Sequence, residues 1–278
     1  MNDARPARTF AVSNLAWLGE RDGEALDLVA RLGFDGVELA PGKVFEDPGR
    51  ATAVEIAAYR ATVEDRGLRI AALQSILFNV PDAFLFGTAA QRQRMADHLV
   101  RIADLSAGLG AGACVFGSPT LRDPGDRTPE TAFAEAVDFF RPLAAAYAER
   151  GVVLAFEANP PLYGCRFVTG TPEAIDLVNA VGAQGFALQV DTGTILINDE
   201  DPSVIEGAQG RIGHLHVSEP ELRPILNEAN VHASIASVLD RMRYSGWISI
   251  EMKTAADWQA ALIESAATVR AAYAGMPS

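Results

Sequence analysis

The sequence predicts a single-domain (β/α)8 (TIM) barrel, α/β in class, and three observations carry that prediction. Eight short apolar, β-branched-rich runs recur along the chain, with starts 26 to 45 residues apart. Each is followed by a turn signal and a stretch with helical spacing, the order expected of a strand, a helix and two loops. The 278 residues contain no composition break or low-complexity linker, and eight such units fill a barrel of ~250 residues. The domain is expected to span residues 1–278, with its core over about 9–273. A doubly wound sheet is the alternative, but Val12-Ser13-Asn14-Leu15, after the first run, lacks the Gly-rich phosphate turn expected there.

In chain order the runs are Thr9–Ser13, Gly36–Ala40, Leu68–Leu73, Ala113–Gly117, Val152–Phe156, Phe186–Val190, Ile212–Leu215 and Trp247–Ile250. Parallel strands covered by helices on one side and packed inside on the other read as continuous apolar runs. The helical segments are Gly23–Leu32, Ala51–Arg66, Ala89–Leu109, Thr131–Arg150, Thr171–Val181, Val204–Ala208, Ile235–Tyr244 and Ala255–Tyr273. Gly33, Gly67, Gly151 and Gly246 stand between a helix and the next strand, where a left-handed residue turns the chain back.

The chain carries 23 basic and 36 acidic residues, a net charge of −13, with no Lys/Arg cluster. A phosphate backbone requires a basic footprint, so nucleic acid is not expected as a partner. The two cysteines, Cys114 and Cys165, belong to no CxxC array, which argues against a disulfide scaffold or cysteine-held zinc. Met1–Arg8 lacks the apolar core of a signal peptide. No apolar stretch approaches the ~20 residues of a membrane span. The expectation is a cytoplasmic protein that does not bind membranes.

In a barrel the residues ending the strands face the mouth, where chemistry takes place. Strands one to four end near Asn14, Glu38, Gln74 and Ser118, a mixed polar set. Strands five to eight end in Glu157, Asp191, His216 and Glu251, at spacings of 34, 25 and 35 residues that track the barrel repeat. Each follows an apolar run, and charges at the edge of a packed interior are costly unless a cation matches them. Three carboxylates and an imidazole suit a hard to borderline divalent ion. Mn²⁺ is the expected ion, with Mg²⁺, Co²⁺ and Zn²⁺ as alternatives. Taken singly, each reads first as a solvated loop carboxylate or a satisfied core histidine; the joint pattern is what points to a metal. His214, on the same face as His216, is either a packing residue or a support behind the site.

These residues resemble the xylose isomerase-like TIM-barrel superfamily, in particular its sugar phosphate isomerase/epimerase subgroup. The resemblance runs from Phe10 to Lys253. It is strongest at Phe156-Glu157-Ala158-Asn159-Pro160, Gln189-Val190-Asp191-Thr192-Gly193, His214-Leu215-His216-Val217-Ser218-Glu219-Pro220 and Trp247-Ile248-Ser249-Ile250-Glu251-Met252-Lys253. It implies that Glu157, Asp191, His216 and Glu251 hold a divalent metal and that Glu157 and Glu251 form the acid–base pair. A divalent ion bound by a carbonyl and the adjacent hydroxyl acidifies the C–H between them and stabilises an enediolate. Two carboxylates on opposite faces then remove and return the proton.

Three positions depart from the ketose 3-epimerases of that family. Thr194 replaces a histidine, Tyr163 a glutamate, and Leu222, beside Arg223, an arginine. Gln74, Asn159, Lys253, Arg223, Glu38 and Trp17 are the candidate substrate-binding residues, with Phe78 as a further apolar wall. Lys253 either polarises a substrate oxygen, binds a phosphate or pairs with a ligand carboxylate.

The leading reading is a metal-dependent isomerase or epimerase of a small-molecule sugar, sugar phosphate or polyol ketone. A lyase at the same site and a non-catalytic sugar-binding or partner subunit are the alternatives, and the resemblance also implies a homodimer. A nuclease acting on abasic sites would need a histidine-rich zinc site, and the chain has four histidines and a net charge of −13.

Overall fold

The computed structural model describes residues 8–226 and 229–274. Eight parallel strands close into a barrel in sequential order. They are β1 (Thr9–Ser13), β2 (Gly36–Leu39), β3 (Arg69–Leu73), β4 (Ala113–Phe116), β5 (Val153–Glu157), β6 (Phe186–Asp191), β7 (Ile212–Val217) and β8 (Trp247–Ile250). Closure is made by β1 against β8, with Thr9 opposite Trp247 and Val12 opposite Ile250. The helices are α1 (Asp22–Arg31), α2 (Ala53–Glu64), α3 (Ala89–Leu109), α4 (Pro129–Glu149), α5 (Thr171–Val181), α6 (Thr192–Ile197), α7 (Ala229–Arg241) and α8 (Trp258–Tyr273). The segment read as lacking a leader lies mostly outside the described residues, which begin at Arg8. Among the described residues no helix is long and apolar enough to cross a membrane.

Each predicted strand is present within two residues of its expected ends. Two helices differ more widely from their expected bounds: the seventh runs over Ala229–Arg241 rather than Ile235–Tyr244, and the sixth lies elsewhere altogether. It starts at Thr192, directly after β6, and the predicted Val204–Ala208 segment lies in a 3-10 turn, Pro202–Ala208. Asp191 is the cause: its carboxylate accepts the N–H groups of Gly193 and Thr194 and so caps α6 at once. Gly33, Gly67 and Gly151 are left-handed as expected, whereas before β8 that conformation falls to Arg243 rather than Gly246.

Strand alternation sorts the side chains. On β5, Phe156 turns outward into an aromatic cluster, 5.5 Å from Phe116, 5.4 Å from Phe140 and 6.0 Å from Phe186 between ring centres. Glu157, the next residue, therefore faces the barrel mouth. Each of these fully enclosed rings contributes about 2 kcal/mol by burial, so the cluster fixes the strand end that presents Glu157. On β7 the same alternation places Leu215 and Val217 outside and His214 and His216 inside.

α7 and α8 meet through His232, whose Nδ1 lies 2.9 Å from the Tyr273 hydroxyl. Burial, opposed only in part by the charge of Glu219, lowers the His232 pKa to about 4. The unfolded chain takes up this proton near pH 6.5 and the folded chain near 4, so stability falls as pH drops through that window. Urea unfolding should show wild type losing about 3 kcal/mol relative to His232→Gln between pH 6.5 and 4. Parallel pH profiles for the two proteins would refute it.

Candidate metal and catalytic site

Three of the four strand-end candidates converge. His216 Nδ1 lies 3.3 Å from Glu157 Oε1 and 3.2 Å from Glu251 Oε2, and ligand atoms of the three fall within 4.8 Å of one another. Asp191 stands beside them, paired in register with His216, but outside that triad. Its carboxylate also accepts from the hydroxyls of Ser218 and Thr194.

The site is a concentration of buried like charge. Burial pushes the Glu251 carboxyl up, His216 opposes the rise, Glu157 and Asp191 add to it, and the result is a pKa of about 7. Asp191 is raised by burial and then by the charge of Glu157. Burial disfavours a charged His216, but the carboxylates of Glu38 and Glu251 outweigh it and hold the imidazolium well above its ordinary range.

A divalent cation fits this donor set. His216 Nδ1 is buried and has no hydrogen-bond partner among the described residues, while carboxylate oxygens flank it on two sides. A cation there would satisfy the nitrogen and cancel the repulsion. Glu157, His216 and Glu251 could hold it, and Asp191 would join by turning one oxygen from its cap.

The expected contribution of Glu38 needs correcting. It is fully buried, with both carboxylate oxygens engaged inside the barrel rather than open to the mouth. Instead it reaches across the barrel interior from β2: Oε1 lies 2.9 Å from His216 Nε2 and 3.4 Å from His214 Nε2, and Oε2 accepts from Ser249 at 2.6 Å. Burial opposes its ionisation, yet the charges of His216 and His214 hold the carboxyl far below its usual range. Glu38 thus stands behind the imidazole on its Nε2 side and leaves Nδ1 turned to the mouth. His214 shares this buried layer, consistent with a supporting place.

Trp17 also departs from expectation. It is fully buried and its indole N–H donates to Asp22 at 2.9 Å, so it packs under the β1 loop and offers no wall to a ligand. Gln74 is nearly enclosed, with its amide donating to Ser13 at 2.5 Å. Asn159 bonds Glu157 itself, Nδ2 to Oε2 at 2.8 Å. Lys253 and Arg223 are exposed. The Lys253 ammonium makes no ion pair among the described residues, and Arg223 donates to the Pro220 carbonyl. Phe78 is exposed on the β3 loop.

The three departures serve the loops. Thr194 donates to the Ala158 carbonyl at 3.0 Å and ties the end of β6 to β5. The Tyr163 hydroxyl accepts the Glu221 N–H at 2.8 Å, strapping the β5 loop to the β7 loop. Glu221 and Leu222 are both left-handed there, φ 63° and 54°, and Lys253 N–H holds the Leu222 carbonyl at 2.9 Å. Arg122, in the loop after β4, is fully buried behind Glu157.

A profile of the family described as xylose isomerase-like TIM barrel matches residues 26–272. A 2-oxo-tetronate isomerase from Pectobacterium atrosepticum is 28% identical over 118 residues, 41% of this chain; the match spans 45% of that relative, less than half its length. Among solved structures, D-psicose 3-epimerase with D-fructose superposes with a TM-score of 0.76 at 19% identity, covering 95% of this chain and 96% of that one. The 3-keto-D-glucoside 4-epimerase from E. coli gives 0.75 at 18% identity, over 95% of this chain and 99% of that one. L-ribulose 3-epimerase gives 0.74 at 17% identity, over 95% of each chain. At these identities the superpositions speak for the fold.

Proposed function

The chain belongs to the xylose isomerase-like TIM barrel family, and from that premise we propose that it is a divalent-metal-dependent isomerase or epimerase acting on a sugar or related polyol ketone in the cytoplasm. Glu157, Asp191, His216 and Glu251 hold the ion, with Mn²⁺ the best match to an oxygen-rich set with one nitrogen. Glu157 and Glu251 form the acid–base pair. The observation that carries this reading is the pair of carboxylate oxygens, 3.3 and 3.2 Å from the buried Nδ1 of His216, an atom with no hydrogen bond among the described residues. The 2-oxo-tetronate isomerase and the 3- and 4-epimerases among the similar proteins support the substrate class.

When bound, the divalent ion supplies Lewis acidity to a carbonyl and the neighbouring hydroxyl of the sugar. The protein's own groups do the rest. Glu157 and Glu251 come from β5 and from the end of β8, so they would face a bound ion from different strands of the mouth. One takes the proton from the carbon between the polarised oxygens, and the other delivers a proton to the opposite face or the adjacent atom. Asn159 holds one Glu157 oxygen and leaves the other to the site. Glu38 keeps His216 oriented throughout.

The test is to incubate Mn²⁺-loaded protein with a panel of keto sugars in D₂O and follow the α-C–H by NMR. Exchange without change of carbon skeleton is the expected result. A loss of mass would assign elimination instead, and bound metal with no exchange on any substrate would refute the proposal.

A further inference from the structure

We infer that Arg122 is a positioning residue for the acid–base pair: acting through Asn159, it fixes which Glu157 oxygen faces the metal site. This rests on the reading of Glu157 as ligand and acid–base group.

The geometry forms a directional relay. Arg122 ends a 3-10 turn, Pro119–Arg122, entered through left-handed Ser118 just after β4, and its side chain is wholly enclosed. Its Nη1 donates to the Glu157 backbone carbonyl at 2.7 Å, and its Nη2 donates to Asn159 Oδ1 at 3.0 Å. A guanidinium can only donate, so the Asn159 atom facing it must be the oxygen. The amide nitrogen is thereby turned to Glu157, where Nδ2 donates to Oε2 at 2.8 Å. With Oε2 committed, Oε1 is the oxygen left 3.3 Å from His216 Nδ1.

The rest of the guanidinium is locked as well. Nε and Nη2 reach Cys165 Sγ at 3.4 and 3.3 Å, Nη2 reaches the Val168 carbonyl at 3.4 Å, and the Phe156 ring lies 4.8 Å below. A planar fork satisfies these partners together; a lysine ammonium on a flexible stem cannot. Gly117, next to β4, leaves the necessary space: a Cβ there would stand 2.6 Å from Glu157 Oε2 and 3.4 Å from Asn159 Oδ1. Arg122 thus grips the Glu157 backbone carbonyl and the Asn159 amide, and through that amide the carboxylate, while touching neither metal nor substrate.

The experiment uses the full chain with Arg122→Lys, Asn159→Ala, their double variant and Gly117→Ala. Mn²⁺ affinity is measured by calorimetry, and kcat and KM by α-C–H exchange. Arg122→Lys and Asn159→Ala should each lower Mn²⁺ affinity by ~10–100-fold, the range for supporting contacts behind a metal ligand. The loss of activity should fall in kcat, with KM for the sugar nearly unchanged. Because both act through one hydrogen-bonded chain, the double variant should be no worse than the weaker single. A merely structural Arg122 would give losses that multiply.

Where Arg122→Lys does not fold, Gly117→Ala takes its place in the cycle. Wild-type Mn²⁺ affinity and kcat in Asn159→Ala and Gly117→Ala would overturn the inference, as would multiplicative losses. If wild type binds Mn²⁺ but exchanges no sugar, the proposed reaction fails and the Mn²⁺ affinities still decide the relay. If wild type binds no Mn²⁺, crystal structures of the same variants decide it: Glu157 Oε2 unmoved in Asn159→Ala overturns the relay, and a swung carboxylate supports it.

Discussion

Glu251→Gln is expected to reduce α-C–H exchange by ~10²–10⁴-fold, the usual worth of a positioned acid or base, while the barrel remains folded. The substitution keeps shape and volume, and the residue's backbone N–H stays bonded to the Val217 carbonyl at 3.0 Å. What is lost is the group that carries the proton and one anionic oxygen beside His216. Metal-free stability should move the other way. The folded Glu251 pKa of about 7 lies above its ordinary 4.5, so the native carboxylate is a stability cost that grows as pH rises from 4.5 to 7. The neutral amide removes that cost, and metal-free Glu251→Gln should exceed wild type by up to about 3 kcal/mol above pH 7, with no gain below pH 4.5. Steady-state exchange and urea unfolding across pH measure both effects. Activity within tenfold of wild type would remove Glu251 from the acid–base pair.

Glu38 carries the second large effect, far from any substrate. Glu38→Gln should weaken Mn²⁺ binding by ~10–100-fold, because the charged acceptor that orients the His216 ring is lost. Glu38→Ala should go further and destabilise the fold by about 3–5 kcal/mol, since two buried imidazoles then have no anion between them. Calorimetric titration reads the first effect and denaturant unfolding the second. The folded Glu38 carboxyl titrates far below the unfolded one, so its stabilising contribution is complete above pH 4.5 and fades as pH falls below that. Unchanged Mn²⁺ affinity in Glu38→Gln would mean that the His216 ring is held without it.

How much of this was legible in the sequence follows from the range of each interaction. The strands were legible because a run such as Val153-Leu154-Ala155-Phe156 is apolar whichever way its side chains turn. α6 was not, because Thr192-Gly193-Thr194-Ile195 is rich in poor helix formers and its start is set by Asp191, already read as a ligand. The strand-end acids and His216 stood out because each interrupts an apolar run. Glu38 gave the same signal, but its partner lies 178 residues away on β7, and nothing local tells a carboxylate that meets substrate from one that meets an imidazole. Arg122 gave less: an arginine in a polar loop reads as solvated, and its enclosure depends on Cys165 and Val168 folding over it. Trp17 misled for the opposite reason, since an aromatic beside a strand end is packed inward as readily as outward.

The Glu38–His216 link also bears on how the barrel assembles. β2 and β7 lie on opposite arcs of the closed sheet, with β1 and β8 between them, and the β2–β3 register shifts at Val37/Glu38. A slip of one residue in β2 would turn Glu38 to the helix side of the sheet and strand the two histidines in the interior. A misregistered closure therefore carries an electrostatic penalty that the correct one lacks. The chain proofreads its own ring closure with a charge that only the right alignment can answer.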